Sequence, residues 1–268
     1  MTLNPEDRET ERIDDDDDIP QLSSNALTAL QEFLQERQAQ EQEEEEEQIA
    51  AAAGSFSTEK ELRHVTEDWQ LSQFWYTDAT AAALAREALT AAGEQGRVAC
   101  VSCPTLYKAI VDSVKAEEAT ASTSSTSDSA SPSSSRAVVL EYDRRFSKWG
   151  VDFVFYDYKD ASVPDLPAEW RHAFDVVVCD PPFLTEDCAA ATLRAAIDTL
   201  GKQPAAAAGD EASTEMCKIM FCTGEIMAEK LTELSGGRLK KSETFFPEHA
   251  SKLSNPFVLL TNFETTTL

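Results

Sequence analysis

The stretch Phe174-Asp175-Val176-Val177-Val178-Cys179-Asp180-Pro181-Pro182-Phe183 constrains the fold more than any other part of the chain. Val176 to Cys179 are apolar without polar alternation, the pattern of a strand covered on both faces, as parallel strands are. Pro181 cannot donate to a ladder and Pro182 restricts the residue before it, so the strand must stop at Asp180. A carboxylate is thereby held on a stiff turn at the carboxyl end of a central strand, beside an aromatic ring. Open α/β sheets bind ligands at that edge. Taken alone, the motif suits equally well a strand that merely halts at a Pro-Pro turn.

The rest of the chain supplies the alternation such a strand needs. Arg97 to Pro104, Ala137 to Asp143, Asp152 to Tyr158 and Lys218 to Gly224 read as further strands. Helical patterns cover Ala79 to Ala92, Leu106 to Val114, Ala189 to Leu200 and about Ile226 to Leu234. Phe245-Phe246 and Pro256 to Leu260 are the last strand candidates, expected to form an antiparallel pair across their short link. Alternation of this kind predicts an α/β fold, a mostly parallel sheet with helices on both faces.

This domain is expected over 61–268, interrupted by low-complexity insertions at about 116–136 and 201–215. Before it, residues 1–20 read as a disordered acidic tail, because like charges repel and little apolar surface is available. Residues 21–60 read as a helix with Leu27, Leu30, Phe33 and Leu34 on one stripe, then the acidic run Glu43 to Glu47 and a linker. Trp69-Gln70-Leu71-Ser72-Gln73-Phe74-Trp75-Tyr76 is an aromatic block that reads first as a core plug, a role compatible with touching a ligand.

Charge narrows the partners. The net charge is −26, and residues 1–48 alone hold 17 acids against 3 bases. Binding to a phosphate backbone draws on Lys and Arg, so nucleic acid is not an expected partner; a basic protein is. No apolar run reaches the ~18 residues of a membrane span, and the acidic N-terminus does not resemble a targeting segment. Six cysteines on or beside apolar runs fit reduced, packed thiols, and with it a cytoplasmic protein. Cys100-Val101-Ser102-Cys103 has zinc-like spacing but no second pair, so core thiols are expected and no metal. His64, His172 and His249 show no ligand spacing and read as surface or turn residues. A monomer is expected.

Successive strands end in small or acidic residues: Ser102 and Cys103, Glu141 and Asp143, Asp157, then Asp180. In a doubly wound sheet these ends share one crevice. A carboxylate after the second strand holds a ribose, and one after the third can receive an adenine amine. Neither a GxGxxG fingerprint nor a P-loop is present, which argues against a dinucleotide or nucleotide phosphates. An adenosine ligand without phosphates, held by acids, fits S-adenosylmethionine (SAM).

Asp180-Pro181-Pro182-Phe183 resembles the (Asn/Asp)-Pro-Pro-(Tyr/Phe) motif of class I SAM-dependent methyltransferases acting on nitrogen. With Leu22 to Phe33, Trp69 to Tyr76, Glu141-Tyr142-Asp143-Arg144-Arg145-Phe146 and Phe155-Tyr156-Asp157-Tyr158, the set resembles the elongation factor 1-alpha lysine methyltransferase 1 family. That family was once described as N6-adenine-specific DNA methyltransferases because of the same motif. The resemblance implies a seven-stranded, Rossmann-like class I sheet and methyl transfer from SAM to a lysine ε-amine of elongation factor 1-alpha. It implies that Asp180 and Pro181 accept from the amine and Phe183 packs on the target. Glu141 or Asp143 would take the ribose, Asp157 the adenine, and the Ser102-Cys103 turn the methionine part, with Asp180 also among the residues at the cofactor. Trp69, Phe74, Trp75 and Tyr76 would cap the cofactor or shape the lysine channel. The same motif would also serve adenine methylation, and a non-catalytic binding module is the remaining alternative.

Overall fold

A computed structural model of the chain describes residues 65–121, 136–203 and 216–268, all within a compact unit that spans Leu62–Leu268. The acidic tail, the 21–60 segment, His64 and the bulk of both insertions lie outside the described residues. The strands are β1 (Val98–Val101), β2 (Ala137–Glu141), β3 (Phe153–Phe155), β4 (Val176–Cys179), β5 (Lys218–Gly224), β6 (Lys240–Lys241) and β7 (Phe257–Thr261). They form one seven-stranded sheet in the order β3-β2-β1-β4-β5-β7-β6. The β1–β5 pairs are parallel, while β7 runs antiparallel to β5 and to β6. The mostly parallel sheet is what the strand–helix alternation predicts, and its seven strands are the class I methyltransferase arrangement that the family resemblance implies.

The helices are α1 (Asp78–Ala92), α2 (Pro104–Ala121), α3 (Glu186–Arg194) and α4 (Ala228–Leu234). Side chains alternate across a strand, so each strand feeds two cores. Val98, Cys100, Val139, Val178 and Cys222 face a layer with Leu84, Ala88, Leu106 and Ile110 of α1 and α2. Ala99, Val101, Leu140, Val177 and Phe221 face the opposite layer, with Leu193 of α3 and Leu231 of α4. Helices therefore cover both faces, and every residue of β1, β2 and β4 is buried. The polarity of β4, apolar throughout, follows from that double cover.

The limits of β4 and β5 match the sequence reading; several others are corrected. β1 stops at Val101, because Ser102 turns into left-handed backbone at φ 56. β2 stops at Glu141, where the Asp143 side chain caps a 3₁₀ segment, Arg144–Asp152, by accepting from the Arg145 backbone N–H. β3 is shorter than Asp152 to Tyr158, ending at Phe155 before the turn at Asp157. α2 continues to Ala121, seven residues past Val114, because Lys115, Ala116, Glu117 and Glu118 are good helix formers. α3 starts at Glu186, earlier than Ala189, since Thr185 caps it, and it continues as a π-helical segment, Ala195–Leu200. Gly201, at the edge of the second insertion, is buried and pairs with Phe174.

The largest correction concerns the final hairpin. Besides β5, the antiparallel partner of β7 is Lys240–Lys241, not Phe245-Phe246. The Ser242 hydroxyl accepts from the backbone N–H groups of Thr244 and Phe245, which folds that stretch into a turn ahead of Pro247. Phe245 instead packs on the α1–α2 side of the core.

Candidate active site

The carboxyl ends of β1 to β4 converge on a cavity of about 690 Å³. Its wall includes Ser102 and Cys103 after β1, Glu141 at the end of β2, Asp157 after β3, and Asp180, Pro181 and Phe183 after β4. Phe74 and Trp75 of the aromatic block also line it, beside a strip from His249 to Phe257 that pairs with that block. Three expected site residues lie off this wall: Trp69, Tyr76 and Asp143.

Each departure has a local cause. Trp69 sits in a short 3₁₀ turn, Trp69–Leu71, and is 72% exposed, touching Phe74 at 6.5 Å between ring centroids. Tyr76 is buried behind the wall, beside Asp180. Asp143 spends its carboxylate on structure. Its Oδ2 accepts from Arg145 Nε and from Gln73 Nε2, each at 2.9 Å, and Arg145 also donates to the Gln73 side-chain oxygen. These partners hold the Asp143 carboxyl below its usual range against the opposing effect of burial. The cluster ties the aromatic block to the end of β2.

Glu141 is the acid that faces the cavity. Both of its backbone hydrogen bonds, from the N–H groups of Tyr142 and Asp143, fall on Oε1. Oε2 is thereby left as an acceptor at the wall, which fits a ribose diol. Burial pushes the Glu141 pKa up to about 7, more than the two N–H donors restore. Asp157 is half-buried and holds the Lys159 backbone N–H on Oδ1, so it heads a turn and lines the cavity at once.

Asp180 is half-buried, its backbone N–H bonded to the Val101 carbonyl at 3.0 Å, which continues the ladder one residue past β4. Burial lifts its carboxyl to about 7; Tyr76 opposes the lift and the neighbouring Glu141 adds to it. Phe183 is 38% exposed and meets Tyr158 edge-on at 5.8 Å, so an aromatic pair flanks the acid. A carboxyl whose pKa lies near neutrality is a stronger base than an ordinary aspartate and can accept a proton from an ammonium group. Ser102 supplies a left-handed turn at the cavity wall, a conformation usually left to glycine.

Sequence reading missed His249, which is neither a surface nor a simple turn residue. It pairs in an antiparallel bridge with Tyr76 and packs on Phe257 at 4.4 Å. Burial lowers its pKa. No spacing rule could find it, because its partner lies far away in the chain; Tyr158, by contrast, stood in a block already singled out.

Residues 67–265 match a family model described as probable N6-adenine methyltransferase. A chicken (Gallus gallus) protein described as EEF1A lysine methyltransferase 1 is 39% identical over 254 residues, covering 93% of this chain and 97% of the relative. The mouse (Mus musculus) protein of the same description is 37% identical, covering 94% and 95%. Protein-lysine N-methyltransferase EFM5 of Saccharomyces cerevisiae is 35% identical, covering 91% and 92%.

Proposed function

The chain belongs to the EEF1A lysine methyltransferase 1 family, and from that premise we propose that its crevice transfers methyl groups from SAM to a lysine ε-amine of elongation factor 1-alpha. The observation that carries this reading is the Asp180 carboxyl, half-buried on the Pro-Pro turn at the wall of a cavity that Glu141 and Asp157 also line. SAM supplies a methyl already activated on a sulfonium, so the protein's task is to align a neutral amine. Asp180 and the Pro181 carbonyl accept from that amine, and Asp180 takes the proton that the lysine ammonium must lose. Phe183 and Tyr158 pack along the lysine stem, where an aromatic face favours a cation. Glu141 Oε2 receives the ribose hydroxyls, Asp157 the adenine amine, and the Ser102-Cys103 turn the methionine part. Phe74 and Trp75 cover the bound molecule.

The net charge of −26 supports a basic protein substrate over nucleic acid. Six cysteines, all free and buried, support a reducing compartment such as the cytoplasm. No described helix is long and apolar enough to cross a membrane. The test is incubation with labelled SAM and either elongation factor 1-alpha or an adenine-containing oligonucleotide. Label on the factor is expected; label on the oligonucleotide with an unlabelled factor would overturn the reading.

A further inference from the structure

Behind the cavity wall, the Tyr76 hydroxyl is buried without a well-formed hydrogen bond, although the Asp180 carboxyl lies beside it. The ring is held firmly. Tyr76 pairs with His249 in an antiparallel bridge, and the two rings pack at 5.1 Å. The bridge is flanked by backbone bonds from Thr77 to the Glu248 carbonyl at 2.9 Å and from Ala250 to the Trp75 carbonyl at 2.8 Å. The hydroxyl itself is shut off from solvent, on a side chain only 4% exposed. An unpaired buried hydroxyl costs ~1–3 kcal/mol. Phenylalanine would fill the same space without that cost, so packing does not account for the oxygen.

We propose that Tyr76 is a positioning residue for the transfer: its hydroxyl donates to one oxygen of ionised Asp180, leaving the other aimed at the entering amine. This rests on the function proposed above. Catalytic hydrogen bonds tighten as the reacting complex forms.

The other groups facing Asp180 cannot do the same work. Glu141, at the end of β2, is an acid that opposes ionisation of Asp180. Cys103 in the β1 turn and Cys222 on β5 are thiols whose pKa values burial pushes up, so both stay neutral and are weak donors. Around the same cavity, Asp157 and Lys159 follow β3. His249 touches the Tyr76 ring, and burial lowers its pKa. Burial, reinforced by Asp180, also pushes the Tyr76 phenol well above its usual value, so it remains a donor throughout the working range.

The test compares wild type with Tyr76→Phe, measuring initial rates of methyl transfer from labelled SAM to elongation factor 1-alpha across the neutral pH range. Melting temperature and SAM binding are measured on the same samples. The variant should melt no lower than wild type and bind SAM as tightly, yet kcat should fall by about 10–100-fold. The acidic limb of its kcat profile should move up by about one pH unit, because a donor that favours the carboxylate is gone. An unchanged rate would overturn the inference. So would a rate loss with the limb unmoved, or a lower melting temperature with the limb unmoved, since packing alone would then explain Tyr76. A wild-type protein that labels no factor would instead defeat the function on which the inference stands.

Discussion

Glu87 and Asp180 are carboxyl side chains of one domain put to opposite uses. Glu87, on α1, is 1% exposed, and both its oxygens are occupied. It accepts from the Thr266 and Thr267 backbone N–H groups and from the Thr267 hydroxyl, fastening the last residues of the chain. Asp180 and Glu141 stand at the cavity wall with acceptor capacity left over and pKa values lifted to about 7. Burial alone does not mark a functional acid. A saturated carboxylate is a fastening; one held short of partners is a site, and its cost in stability is offset elsewhere in the fold.

The comparison breaks most visibly at Asp180. Asp180→Asn keeps the shape but cannot take a proton or accept on both oxygens, so methyl transfer should fall by about 10²–10⁴-fold. SAM binding, followed by calorimetry, should change little. A variant that lost SAM binding in parallel with rate would make Asp180 a cofactor ligand and not the amine's acceptor.

The mirror experiment is Glu87→Ala. It leaves three donors without their acceptor and should lower unfolding stability by about 2 kcal/mol in denaturant titrations, with kcat preserved at temperatures where the domain is folded. A loss of activity without a loss of stability would contradict the division of labour.

A comparable stability change of opposite sign should appear at the site. The Asp180 and Glu141 carboxyls are raised from ordinary values of 3.8 and 4.5 to about 7. Between those limits the unfolded chain binds fewer protons than the folded one, so stability falls as pH rises from about 4 to about 7. Below that window the carboxyls are neutral in both states and the penalty is absent; above it the penalty is complete. Asp180→Asn should therefore stabilise the protein by about 2 kcal/mol at mildly alkaline pH, allowing for solvent at a half-buried group, and by much less near pH 4. Thermal melts across pH check this; a variant less stable than wild type at both ends would contradict it.

The smallest effect is expected at the β1 turn. Ser102 holds φ 56, a conformation that costs a side-chain-bearing residue more than glycine. Ser102→Gly should raise stability by about 0.5 kcal/mol, set against the added freedom of the unfolded chain.

The sequence disclosed the sheet where burial was uniform. β4 and β5 were legible to the residue, because an apolar run between turn signals has one reading. β6 was not, because Lys240-Lys241 is a short edge strand with no apolar signature, and its pairing comes wholly from β7. The ends of β2 and β3 were overdrawn because side-chain turns at Asp143 and Asp157 stop them, and apolar pattern does not record such turns. The site divides in the same way. That acids would gather at one edge followed from strand order alone. Which acid after β2 faces the cavity was settled by Gln73, a residue 70 positions from Asp143, and no local pattern carries that contact. His249 and the placing of Tyr76 behind the wall are likewise products of tertiary pairing.

The most direct test of the central claim is intact-protein and peptide mass spectrometry of elongation factor 1-alpha after incubation with SAM and either wild type or Asp180→Asn. Methyl increments on a lysine ε-amine are expected with wild type and none above background with the variant. An unmodified factor under conditions where the protein binds SAM, or equal modification by the variant, would contradict it.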